Sequence, residues 1–242
     1  MNSLKLKRVI EAHWLQRLAD QLGLKFWERF LLFRHDFSTQ DKMQRVFRRG
    51  IDPYQYASSP YERDRIKRME IILASRRYKS GLEVGCAEGQ MTLMLSSACA
   101  SLTSVDLSAE ALIRAQKTAT SAHIKWVRGN IRTWRPERTF DLIALTDVLY
   151  YLGDPTKGLI FEKAFENFLK RLIAWLNPGG HVLLANAFGN ERERRIREDY
   201  ALRFERLGLK TLKAETAGEP PHDKGNVRCL IHLLEKPCLE VR

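Results

Sequence analysis

The residues with the clearest chemical potential lie in short groups, each placed just after an apolar run. Leu82-Glu83-Val84 closes the first run and leads into the turn Gly85-Cys86-Ala87-Glu88-Gly89. Glycines at both ends of that turn let the main chain approach a ligand closely. The helix expected from about Gln90 turns free amides and the positive end of its dipole toward the same place. A second run ends in Val105-Asp106-Leu107-Ser108, which puts a carboxylate 21 positions after Gly85. That is close to the roughly 20-residue offset at which an acid meets ribose hydroxyls. An acid there suits a ribose with both hydroxyls free to donate. A dinucleotide fingerprint is not supported, because Ala87 and Gln90 stand where its second and third glycines are required. The plainer readings are that glycines end many strands and that Asp106 caps the next helix.

Past the fourth run comes Thr146-Asp147-Val148-Leu149-Tyr150-Tyr151. A carboxylate beside two phenols can orient an amine or take its proton, and aromatic faces attract a cation. The same residues also read as the packed start of a helix. Gly129-Asn130-Ile131 follows the third run, and Tyr54, Tyr56 and Tyr61 sit in or beside the Pro- and Ser-containing stretch Ile51–Pro60.

The elements that must position these groups follow from periodicity. Apolar residues from Leu4 to Phe33 recur mostly three or four apart, predicting an amphipathic helix or a pair broken at Gly23. Ile51–Pro60 reads as loop, and Tyr61–Tyr78 as a helix with Ile66, Met69, Ile72 and Leu73 on one face. Strands are expected at Gly81–Val84, Leu102–Asp106, Ile124–Val127, Asp141–Leu145 and His181–Asn186, with helical stretches between them. Asn177-Pro178-Gly179-Gly180 marks a break before the fifth. Leu209–Glu215 and Arg228–Glu235 form an antiparallel pair. This alternation predicts an α/β fold with a mostly parallel sheet covered on both faces, in which ligands bind beyond the carboxyl ends of the strands.

At 242 residues and 44% hydrophobic content the chain can bury one sizeable core. Its formal charge of +12 is concentrated at the start, where residues 1–80 hold 18 Lys or Arg against 9 Asp or Glu. That excess is either a solvated helix face or the footprint of an anionic partner: nucleic acid, a phosphorylated substrate or an acidic membrane surface. The sequence has neither a membrane-spanning apolar run nor a signal-peptide core, so a cytoplasmic protein is expected. Cys86, Cys99, Cys229 and Cys238 show no metal-ligand spacing and are expected to be reduced, with no metal bound. Nothing in the pattern points to a particular oligomeric state.

Taken together, the motifs resemble class I methyltransferases, the seven-stranded Rossmann-like family that binds S-adenosylmethionine, over about Tyr61 to Glu235. The similarity is greatest to N-methyltransferases of the nodulation protein S type. It rests on Asp52-Pro53-Tyr54, Tyr61-Glu62, the turn after Glu83, and Asp147-Val148-Leu149-Tyr150-Tyr151-Leu152. The chain departs from that group in its long, basic residues 1–50. The resemblance implies a methyltransferase domain over 61–242, preceded by a helical extension and lid over 1–60 that caps the substrate side. It implies S-adenosylmethionine as cofactor and S-adenosylhomocysteine as product. Glu83 and the Gly85 backbone would lie near the methionine end, Asp106 on the ribose and Leu107 against the adenine, with Cys86, Ala87 and Gly89 of the turn also binding the cofactor. Asn130, where the family usually has Asp, would meet the adenine amino group or else serve only as a turn residue. Tyr61, Ile131 and Thr146 would complete the cofactor site. Asp147 and Tyr150 would flank the reacting centre, with Tyr54, Tyr56 and Tyr151 on the lid and substrate side. The expected acceptor is an amine nitrogen, or a hydroxyl, of a small molecule, neutral or anionic, such as an amino sugar. An RNA methyltransferase using the basic first third, and a non-catalytic cofactor-binding scaffold, are the alternatives.

Overall fold

The computed structural model describes residues 25–238 apart from 57, 154, 156 and 157. Helix α1 spans Lys25–Arg49 and α2 spans Pro60–Leu73. The alternating part runs β1 (Gly81–Val84), α3 (Gln90–Ala98), β2 (Leu102–Asp106), α4 (Ala109–Thr118), β3 (Ile124–Arg128) and β4 (Phe140–Thr146). It continues with α5 (Leu159–Ala174), β5 (Leu176–Phe188), α6 (Glu191–Arg206), β6 (Lys210–Ala217) and β7 (Arg228–Glu235). A single 3-10 turn, Leu149–Leu152, follows β4. The seven strands lie in the order β3-β2-β1-β4-β5-β7-β6, with β7 antiparallel to both neighbours. Strand order reverses between β1 and β4, so the turn after β1 opens at the switch point where ligands enter such sheets.

The central strands are apolar on both sides because both sides are covered. Leu82, Val84, Val105, Ile143, Leu145, Val182 and Leu184 pack against Phe165, Phe168 and Leu172 of α5 and Phe204 of α6. Leu102, Leu142, Ala144, Leu183 and Ile231 pack against Met69 and Ile72 of α2 and Leu95 of α3. Such burial removes the alternation of a half-exposed strand and leaves continuous apolar runs. Each fully buried Leu or Phe contributes roughly 1.5–3 kcal/mol.

Strands β3, β4 and β6 depart from the sequence reading by one or two residues at an end, and three elements differ by more. Of the periodic segment expected over Leu4–Phe33, residues 4–24 lie outside the described residues, and the helix that is seen continues to Arg49. Its inward side beyond Phe33 carries Asp36, Thr39, Met43 and Phe47, which line a cavity. Two polar residues on that side interrupt the apolar period. Helix α2 stops at Leu73 instead of reaching Tyr78, whose amide bonds to Ala98 O at 3.0 Å, and whose hydroxyl pairs with His181 Nδ1 at 2.7 Å. Strand β5 starts at Leu176, paired with Phe140, so the Asn-Pro-Gly-Gly segment lies within a paired strand. The backbone of Gly179 and Gly180 there exchanges hydrogen bonds with Lys236.

Candidate active site

The turn after β1 is built on left-handed backbone: Gly85 has φ +78°, Ala87 +46° and Gly89 +86°. A Cβ on Gly89 would lie 3.0 Å from Cα of Ala115, so only glycine lets the turn sit on α4. The Ala87 amide donates to Asp106 Oδ2 at 2.9 Å and the Ser108 amide to Oδ1 at 2.8 Å. A carboxylate offers about four acceptor positions, so acceptor capacity is left for a ligand. Burial pushes the Asp106 carboxyl up to about 6, although the amides of Ser108, Ala87 and Leu107 pull the other way. The capping role belongs to Ser108, which accepts from the Ala111 amide at the start of α4.

Asp106 opens onto a cavity of 320 Å³, within the range of small-molecule sites. Of the residues singled out in the sequence, Tyr54, Tyr56, Tyr61, Gly85, Ala87, Asp106, Leu107, Asn130, Ile131, Thr146, Asp147, Tyr150 and Tyr151 line it. Glu83, Cys86 and Gly89 do not. Glu83 points away into the core, where Thr92 and Ser104 donate to its Oε2 at 2.6 and 2.7 Å. Its Oε1 has no partner, and burial raises the carboxyl to about 7. Cys86 is buried, which pushes its thiol up and keeps it protonated. Gly89 acts through its conformation at the head of α3. No cluster of metal-ligating side chains exists among the described residues.

Asp147 begins the other half of the cavity with φ +51°, a left-handed conformation that Asp tolerates better than most residues. Its amide donates to Ala185 O at 2.8 Å, and its Oδ1 accepts the Ala187 amide at 2.7 Å. Its Oδ2 is paired with Arg65 Nη1 of α2. Arg65 is 1% exposed and also lies 3.0 Å from Glu62 Oε2, beneath the rings of Tyr56 and Tyr61. Glu62 itself lines the cavity, and burial raises its carboxyl against the pull of Arg65. The Tyr150 ring lies tilted against Tyr151 with centroids 4.5 Å apart, Arg197 sits over it at 4.7 Å, and burial pushes its phenol upward, so it is a neutral donor. The loop that carries Tyr54 is tied down by Lys224 in the β6–β7 connection, which donates to Tyr54 O and Gln55 Oε1, each at 3.0 Å.

Arg65, Lys224 and the inward residues of α1 were not singled out by the sequence, and Glu62 entered only through the Tyr61-Glu62 resemblance, with no role at the site. One signal for Arg65 was available: Tyr61, Arg65, Met69 and Ile72 share a helix face, and that face is buried, whereas Ile66 is only half-buried. A charge on an apolar stripe marks a buried ion pair.

The sequence pattern of the family described as "Nodulation protein S (NodS)" matches residues 39–194. The nodulation protein S of Rhizobium tropici is 37% identical over 138 residues, which are 56% of this chain and 55% of that protein. This chain thus spans just over half the length of that relative. The Bradyrhizobium diazoefficiens protein is 33% identical over 183 residues, 65% of this chain and 85% of its own length. Among solved structures, the N-methyltransferase NodS of Bradyrhizobium japonicum WM9 in complex with S-adenosylhomocysteine superposes with a TM-score of 0.68 at 25% identity, covering 82% of this chain and 98% of that one.

Proposed function

We propose that this chain, which belongs to the nodulation protein S family, is an S-adenosylmethionine-dependent methyltransferase acting on an amine nitrogen of a small molecule such as an amino sugar. The observation that carries this reading is one cavity holding two differently built carboxylates: Asp106 with free acceptor positions at the β2 end, and Asp147 against an aromatic wall at the β4 end. The residues fit the cofactor. Gly85 and Ala87 offer close main-chain approach, Asp106 can accept from two ribose hydroxyls, and Leu107 and Ile131 supply apolar surface. When bound, the cofactor supplies an activated methyl group for in-line displacement, a reaction that requires positioning and exclusion of water.

The chain's own groups would prepare the acceptor. Asp147 is engaged on both oxygens, which supports an orienting role in which it accepts an N–H of the amine. A primary amine is mostly protonated at neutral pH and must lose that proton before it attacks. Glu62, whose carboxyl is raised by burial, belongs to the same cavity wall and is suited to take it at the oxygen that does not pair with Arg65. Tyr54, Tyr56, Tyr150 and Tyr151 would wall the site from water. Residues 1–60 are read as a cap, and α1 already contributes Asp36, Thr39, Met43 and Phe47 to the cavity wall.

Methyl-labelled cofactor offered with a panel of amino sugars and, separately, with ribosomal and transfer RNA tests the reading. Label on the amine, at a rate that climbs with pH, is expected. Label in RNA and in no amine would transfer the assignment to an RNA methyltransferase using the basic first third of the chain.

A further inference from the structure

We propose that Asp36, on α1, accepts a hydrogen bond from the 6-amino group of the cofactor's adenine, so that the first described helix reads the base as well as covering it. The inference rests on the adenosine-cofactor reading above. Asp106 at the end of β2 sets the ribose, and β3 is the next strand outward. The base therefore falls toward the segment that follows β3. The cavity lining includes the apolar Leu107, next to Asp106, and Ile131, in the segment after β3, together with Met43 and Phe47 of α1, side chains suited to a flat ring. A donor on the ring edge needs an acceptor in that wall, because a buried N–H left unpaired is costly.

Asn130 is the obvious acceptor by position, yet each end of its amide already makes one hydrogen bond, which leaves its Oδ1 a single acceptor position. Its Nδ2 donates to Asp36 Oδ2 at 3.0 Å, and its Oδ1 accepts the Arg132 amide at 2.9 Å. The orientation of that amide is settled, since an ionised carboxylate can only accept. Asp36 also lines the cavity, with Arg132 Nε 2.8 Å from its Oδ1 and His35 Nδ1 at 3.5 Å. Burial alone would raise this carboxyl, but His35, Arg132 and Asn130 together hold it below its ordinary value. Asp36 is therefore ionised, fixed from two sides, and left with acceptor positions to spare. A charged acceptor makes a stronger hydrogen bond than the amide oxygen of Asn130.

The test is calorimetric binding of S-adenosylhomocysteine and of its purine analogue without the 6-amino group, to the unmodified chain and to Asp36→Ala. The unmodified chain should prefer the adenine compound by about 10-fold or more, as expected for a hydrogen bond to a charged group. Asp36→Ala should lose about that factor for the adenine compound and bind the analogue as before. Asp36→Asn, which keeps the shape without the charge, should fall between, and it serves if the alanine variant does not fold. Equal weakening toward both compounds would show that Asp36 only anchors α1. Discrimination kept in Asp36→Ala would pass the role to Asn130 or Thr39. Either result overturns the proposal, whereas an unmodified chain that binds neither compound would sink the cofactor reading itself.

Discussion

Glu83→Gln replaces a carboxyl that has no exposed surface by its uncharged isostere. In the fold, burial carries that carboxyl from its ordinary 4.5 to about 7, against the opposing hydrogen bonds from Thr92 and Ser104. The folded chain therefore keeps a proton that the unfolded chain releases between those values. Stability contributed by this group is intact below about 4.5, declines as pH rises, and is lost above about 7. At 1.36 kcal/mol per pH unit, the full loss is about 3 kcal/mol. Glutamine mimics the protonated acid, accepting from both hydroxyls, and has no charge to desolvate. Urea denaturation of both proteins at pH 5 and pH 8.5 measures the difference. The variant should match or trail the parent at pH 5 and gain about 2–3 kcal/mol on it by pH 8.5. A stability difference that does not move with pH would refute the reasoning, because it would mean Glu83 is ionised in the fold at no cost.

Arg65→Leu should cost about 3–5 kcal/mol by urea denaturation, because it strands the carboxylates of Asp147 and Glu62 in a buried site. Asp147→Asn should slow turnover much more than it weakens binding of S-adenosylmethionine, as compared by initial rates and calorimetry, since its place is at the β4 end and Asp106 holds the other. Cofactor affinity should weaken as pH falls below about 6, where Asp106 takes up a proton and can no longer accept from both ribose hydroxyls. An affinity constant from pH 5 to 8 would speak against that role.

The sheet was legible because its central strands are short apolar runs ended by glycine, aspartate or a turn. β1, β2 and β7 have the bounds read from the sequence. The cavity lining was legible for a related reason: Gly85, Asp106, Asn130 and Asp147 each lie at or just past a strand end, and a parallel sheet brings all such ends to one edge. Direction of a side chain was not legible. Glu83 lies next to Val84 and the glycine turn, yet strand alternation turns it to Thr92 and away from the cavity. Asp36 reads as a solvated helix charge, and the apolar stripe around Arg65 does not name its partner; the groups that hold them, Arg132 and Asp147, lie far along the chain. A local pattern gives no account of a partner that distant in sequence.

Calorimetric titration with S-adenosylmethionine, S-adenosylhomocysteine and a nicotinamide dinucleotide, on the unmodified chain and on Asp106→Ala, tests the central claim most directly. Both adenosyl sulfur compounds should bind and the dinucleotide should not. Asp106→Ala should weaken the former by about 1.5–3 kcal/mol, the scale of hydrogen bonds to a charged group. Unchanged affinity in a folded variant, or a preference for the dinucleotide, would contradict the account.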